Sequence, residues 1–307
     1  MPRRYMVMQG PLFGTIEAGG TKFVCALGRD PHEMRRCSRI PTTTPEETLG
    51  RAVKFFRDAE RDIGQCAAYG IACFGPAAVD PSSPQWGSIL ATPKPGWSNV
   101  NVAGAIAEAF GKPVGFDTDV NGAALAEFRW GAAQGADAVV YITVGTGLGA
   151  GFVIDGRPLH GARHPEVGHI LPRKHPKDLT FPGVCPFHGD CFEGVACGLA
   201  IAKRWGKPLS ELPQDHEAHA IIGWYLGQLA SALTATYSPR KIIFGGGVMK
   251  TPGLLDGIRK SAVALTRGYF ADDETLMASI EAPGLGDNSG LAGGLALAEH
   301  AWLLAGK

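Results

Sequence analysis

The chain has 307 residues, enough for two lobes each with its own core, and 43 of them are glycine, about 14% against a usual ~7%. The glycines follow no repeat and apolar residues make up 45%, which excludes collagen, coiled coil and simple disorder. Lys+Arg and Asp+Glu both total 29, so the basic excess of a nucleic-acid or lipid-surface binder is missing, and small molecules or a second copy of the chain are the expected partners.

No stretch approaches the ~18 apolar residues of a membrane span. Residues 1–10 carry Arg3 and Arg4 without the apolar run of a signal peptide, and read as a short extension. The seven cysteines are odd in number and scattered, which fits a reducing compartment and a cytoplasmic location.

Residues 12–27 predict a strand, a tight turn at Gly19-Gly20-Thr21-Lys22 and a returning strand. A helix follows, with Thr44 as N-cap, Pro45 in its first turn and an apolar stripe through Leu49, Ala52, Val53, Phe56 and Ile63. A buried strand over 67–74, a helix over 102–110 and a short strand at 114–116 lead to Asp117-Thr118-Asp119, and a helix is predicted over 120–130. Strand 138–144 then meets Gly145-Thr146-Gly147-Leu148-Gly149, repeating the opening pattern of apolar strand, Gly/Thr turn and apolar strand. The repetition predicts a duplicated α/β domain with a cleft between its halves. Residues 155–195 are irregular and rich in His, Pro and Gly, as functional or metal-tied loops are. Helices are predicted over 195–205 and 218–237, a strand over 241–244 running into Gly245-Gly246-Gly247, and a small-residue helix over 289–304 that packs back on the first half. The lobes are placed at 1–125 and 126–288, with 289–307 returning to the first.

The two Gly/Thr turns suit phosphate recognition, because glycine lets backbone N–H groups approach an anion and threonine adds a hydroxyl donor. Ordinary hairpins use the same residues. Their pairing, with Lys22 as a positive charge and a third Gly cluster between strand and helix, points to a nucleotide. There is no G-x-x-x-x-G-K-[ST] P-loop, and Gly145, Gly147 and Gly149 lack the ending of a dinucleotide fingerprint. Asp119, between strand and helix, is suited either to capping the helix or to accepting a hydroxyl proton in phosphoryl transfer, with Asp117 as its competitor.

Cys185, His188 and Cys191 at three-residue spacing in a Gly/Pro loop can wrap one ion, and His169 completes a Cys2His2 zinc set, with His175 or His164 as alternatives for the fourth ligand. Four protein ligands leave no open position, so the ion is structural. Glu166 and Glu193 flank the cluster, where a metal-tied loop is a rigid mount for groups that hold sugar hydroxyls.

These motifs, with Phe74-Gly75-Pro76, His164-Pro165-Glu166-Val167-Gly168-His169 and Phe244-Gly245-Gly246-Gly247-Val248-Met249, make the sequence resemble the ROK family of sugar kinases, within the actin-like ATPase superfamily, and in particular its zinc-containing bacterial fructokinases. The resemblance runs from Phe13 to the end. It implies two actin-like (ribonuclease H-like) lobes with a cleft between them and a zinc-tied loop. It further implies phosphorylation of fructose by Mg2+-ATP, and a homodimer. Carried onto this chain, Asp119 is the catalytic base, Glu166, His169, Glu193 and Asp119 hold the sugar, and His169, Cys185, His188 and Cys191 hold structural zinc. Gly20, Thr21, Lys22, Thr146, Gly147, Gly245, Gly246, Gly247 and Val248 contact ATP. Glu17 stands where most of the wider family has Asp, and Thr118 where it has Asn; both resemble the fructokinase branch. A glucokinase, mannokinase or broad hexokinase is the expectation's neighbour within the family. A sugar-responsive regulator would need a DNA-binding module ahead of the first turn, for which residues 1–12 are too short. Keeping Asp119 and both turns argues against an inactive sensor.

Overall fold

A computed structural model describes residues 10–306; most of the short N-terminal extension predicted above thus lies outside the described residues. The chain forms two compact units, one comprising residues through Asp119 together with those from Leu291 onward, the other Val120–Gly290.

In the first unit, β1 (Phe13–Ala18), β2 (Lys22–Gly28), β3 (Arg35–Pro41), α1 (Pro45–Ile63), β4 (Ala68–Cys73), α2 (Val102–Phe110) and β5 (Val114–Thr118) build a five-stranded sheet in the order β3-β2-β1-β4-β5. β1 and β2 pair antiparallel from Phe13 opposite Gly28 to Ala18 opposite Phe23, and β4 and β5 add parallel strands. β3 was not legible in the sequence because it is an edge strand whose side chains are mostly exposed and polar, so it shows no apolar alternation. α1 starts as its signals predict, with Glu47 N–H donating to the Thr44 hydroxyl. Its buried Ala52, Phe56 and Ala59 join Ile16, Phe23, Tyr69, Ile71 and Trp97 in the core.

α3 (Asp119–Trp130) carries the chain into the second unit. There β6 (Ala138–Val144), β7 (Leu148–Ile154), β8 (Arg157–Pro158), α4 (Phe192–Ala196), α5 (Gly198–Trp205), α6 (Glu217–Tyr237), β9 (Lys241–Gly245), α7 (Leu254–Thr266), α8 (Asp273–Ser279) and β10 (Ile280–Glu281) follow. The sheet order β8-β7-β6-β9-β10 repeats that of the first sheet strand for strand, including the antiparallel β6–β7 hairpin and the parallel β6–β9 and β9–β10 pairs. This duplicated order is the two-lobed actin-like α/β architecture.

Two departures from the predicted elements have clear causes. The single helix expected over 195–205 is broken at Cys197, because the N–H of Gly198 donates to Gly145 O at 2.7 Å instead of continuing the helix ladder. α7 begins only at Leu254, since Pro252-Gly253 interrupts the chain after a single tight turn over Gly247–Lys250.

The last helix, α9 (Ser289–Ala305), packs on the first sheet through small residues. A Cβ on Gly70 would lie 1.8 Å from Gly294 O, so only glycine lets β4 and α9 approach this closely. The Thr15 hydroxyl donates to Leu291 O at 2.6 Å across the same seam.

Candidate active site and metal centre

β5 ends at Thr118 and α3 begins at Asp119, so the two candidate carboxylates, two residues apart, meet different surroundings. Asp117 is buried, and its Oδ1 accepts the N–H of Thr118 at 2.7 Å. Asp119 is half-buried at the start of the helix. It lies near Cys73 at the end of β4; burial, and then the Asp119 charge, push that thiol well above its usual range. The first turn of α3 is locked in place. Asn121 Oδ1 accepts the N–H of Phe152 at 3.1 Å, and a Cβ on Gly151 would lie 2.1 Å from Val120 O.

The first Gly/Thr turn joins β1 to β2, closed by Gly19 N–H on Lys22 O at 2.9 Å, with Thr21 and Lys22 exposed. Glu17 just before it is pushed up by burial and drawn partly back down by Lys22 and Arg39. The second turn joins β6 to β7: Gly145 N–H donates to Gly147 O at 2.9 Å, and Thr146 is exposed at the tip. The third glycine cluster lies beside it, because β9 runs parallel to β6. Gly246 adopts φ +93°, and a Cβ there would meet Val144 O at 2.5 Å. Val248 is half-buried next to Gly198, whose own N–H is bound to Gly145. The second turn and the Gly245–Gly247 loop therefore form one continuous surface in this unit.

The irregular segment folds around His169, Cys185, His188 and Cys191, whose ligand atoms all lie within 4.8 Å of one another. Cys185 Sγ is 3.7 Å from Nδ1 of both His169 and His188, and Cys191 Sγ is 3.6 Å from His169 Nδ1. Cys185 and Gly189 exchange both backbone hydrogen bonds, which tightens the loop carrying His188. The cysteines are not disulfide-bonded. Two thiols and two imidazoles in a closed group of four match the donor set of a structural zinc site. The other two histidines considered for the fourth position are engaged elsewhere: His175 Nδ1 accepts the N–H of Lys177, and buried His164 lies 3.5 Å from Glu166.

Glu166, exposed, precedes the tight turn that carries His169, and its carbonyl accepts the His169 N–H at 3.0 Å. Glu193 sits in the first turn of α4, directly after Cys191, which caps that helix through Gly194 N–H on its Sγ. Its carboxylate reaches back to the second turn and accepts Leu148 N–H at 3.1 Å. The loop is also held by a buried ion pair, Arg204 with Asp178, to which Tyr225 donates a hydrogen bond at 2.9 Å. Sequence reasoning missed this pair, and also Glu127. That carboxylate, fully buried, accepts Ala132 N–H, Gly284 N–H, Leu285 N–H and the Ser289 hydroxyl. The available signal was a charged residue among the small apolar residues of α3.

A model of the ROK family matches residues 13–301. The chain belongs to the ROK family. Within it, the chain is 51% identical over 292 residues to a fructokinase of Zymomonas mobilis, covering 94% of this chain and 96% of that one. It is 41% identical to a putative fructokinase of Bacillus subtilis, covering 94% and 96% respectively. Among solved structures, the ROK hexokinase of Thermus thermophilus superposes with a TM-score of 0.77 at 27% identity, covering 94% of this chain and 98% of that one. Among the described residues no helix is long and apolar enough to cross a membrane.

Proposed function

We propose that this ROK-family chain is an ATP-dependent fructokinase, forming fructose 6-phosphate and ADP. The observation that carries it is the 51% identity to the Zymomonas fructokinase across nearly the full length of both chains. In this mechanism the sugar 6-hydroxyl oxygen attacks the γ-phosphorus, the bond from that phosphorus to the β,γ-bridging oxygen breaks, and Asp119 accepts the hydroxyl proton. The loose transition state of phosphoryl transfer asks for alignment and a late proton acceptor, which a carboxylate supplies. Glu166, His169 and Glu193 hold the sugar hydroxyls. His169 turns Nδ1 to the thiols, which leaves Nε2 to bond a hydroxyl.

Gly20, Thr21 and Lys22 in one turn, and Thr146 and Gly147 in the other, bind phosphate oxygens, and Gly245, Gly246, Gly247 and Val248 border the nucleotide. Mg2+ arriving with ATP neutralises charge on the β- and γ-phosphates. His169, Cys185, His188 and Cys191 hold zinc, whose contribution is to order the loop. The same reading makes the protein a homodimer, and its seven free cysteines support a cytoplasmic location.

The test is a sugar panel with ATP, run on the wild type and on Asp119→Ala. Fructose should give the highest kcat/KM; equal values for glucose or mannose would make the protein a broad hexokinase instead.

A further inference from the structure

The first Gly/Thr turn is shaped by a residue twenty positions beyond it. Thr42 follows the last residue of β3 and is 7% exposed. Its N–H donates to Thr21 O at 3.0 Å, its hydroxyl donates to Gly19 O at 2.7 Å, and its own carbonyl accepts Lys94 Nζ at 3.1 Å. With Lys22 O taken by Gly19 N–H, the carbonyls of Gly19, Thr21 and Lys22 are all bound within the fold. The N–H groups of Gly20 and Thr21, by contrast, find no acceptor among the described residues. A Cβ on Gly20 would meet nothing within 4 Å, so the space beside that residue is open.

With the carbonyls of Gly19, Thr21 and Lys22 tied back and the amides of Gly20 and Thr21 open, the turn offers the positive ends of its peptide dipoles on its open side, which is the arrangement that binds anions. We infer that Thr42 is a positioning residue for ATP: its hydroxyl holds the Gly19 carbonyl away from the open side, where the negative oxygen would repel a phosphate. The inference rests on reading this turn as a phosphate site. Backbone bonding alone does not achieve the effect, because the Thr42 N–H reaches only Thr21; the Gly19 carbonyl depends on the side chain. Nor is the hydroxyl part of the α1 cap, which Thr44 supplies.

The experiment compares Thr42→Val, close to isosteric but without the donor, with Thr42→Ser, which keeps it. Steady-state kinetics are measured for ATP and for fructose separately, and thermal melting is recorded alongside. Losing one neutral hydrogen bond that shapes the site should raise KM for ATP about fivefold in Thr42→Val. KM for fructose should stay within about twofold, and Thr42→Ser should behave as wild type. Thr42→Ala serves as a second hydroxyl-free variant if the valine protein does not fold. Gly20→Val, for which the fold has room, tests the underlying reading: a side chain there should obstruct ATP. If Gly20→Val raises KM for ATP while the hydroxyl-free variants do not, or if Thr42→Ser is as impaired as they are, the role of Thr42 is refuted. If Gly20→Val leaves KM for ATP unchanged, the phosphate reading of the turn fails, and the role of Thr42 with it.

Discussion

The carboxylate of Glu193 accepts the backbone N–H of Leu148 at 3.1 Å, tying the loop of the Cys2His2 cluster to the second Gly/Thr turn. A Cβ on Gly147 would lie 2.7 Å from Glu193 Oε2, so the turn has no room for one while this bond stands. Gly147→Ala should push Glu193 aside and raise KM for both fructose and ATP by about tenfold, the cost of one disturbed charged hydrogen bond at each site. Wild-type values for both substrates would mean that the contact plays no part in binding.

Asp119→Ala should lower kcat by about 10²- to 10⁴-fold, the usual worth of a general base, while calorimetry shows ATP binding almost unchanged. Asp117→Asn is the contrasting variant. Asp117 is buried against Thr118 N–H, so its replacement should reduce thermal stability more than it changes kcat relative to Asp119→Ala. Substantial turnover in Asp119→Ala would remove it as the base.

Elemental analysis of the purified protein should find one zinc per chain, and Cys185→Ser or His188→Ala should lose it. Chelation should lower melting temperature and activity together, because Glu166, His169 and Glu193 all lie on or beside the loop that the four ligands gather. Full activity in metal-free protein would contradict a role for zinc.

Arg204 and Asp178 form an ion pair with side-chain exposures of 8% and 6%. Burial lowers the Arg204 pKa, and the Asp178 charge opposes that shift without cancelling it. Arg204→Met should destabilise the protein by about 3 to 5 kcal/mol in denaturant unfolding, by stranding a buried carboxylate. Adding Asp178→Leu should restore part of the loss, which a purely steric effect of the first substitution would not allow.

Glu17 gives a pH dependence with a definite sign. Burial raises its pKa in the folded state above the ordinary value of 4.5, so ionised Glu17 opposes folding at neutral pH. Its relative contribution is most favourable below about pH 4.5 and is lost as pH rises through the raised pKa. Glu17→Gln should therefore melt higher than wild type at pH 7, with the difference shrinking toward zero as pH falls through the acid range. A constant difference at all pH values would show that ionisation is not the cause.

Local chemistry decided what could be read in advance. Thr44 with Pro45 announces α1, the Gly/Thr turns announce both hairpins, and the spacing of Cys185, His188 and Cys191 sets apart the segment that gathers around His169. Each of these signals lies within a few residues of its consequence, where backbone dihedrals and side-chain reach fix the outcome. The glycine excess likewise has visible addresses in the turns. At Gly70 and Gly151, however, the reason is a backbone from a distant element lying within 2.1 Å of where a Cβ would stand, and no local pattern reveals that.

The tertiary structure alone decided the rest. Asp117 and Asp119 are the same residue type two positions apart, and the fold buries the first against Thr118 N–H and leaves the second half-buried at the start of α3. The sequence favours His169 as the fourth ligand and leaves His175 and His164 as alternatives; the His175 ring against Trp224 and His164 beside Glu166 leave His169 with the thiols. Thr42 reaches back to Gly19, and Glu127 accepts from Gly284, Leu285 and Ser289, more than a hundred and fifty residues further on. A hydrogen bond is satisfied by whatever group the fold brings within 3 Å, so sequence by itself names the donors and acceptors while the packed chain chooses which of them meet.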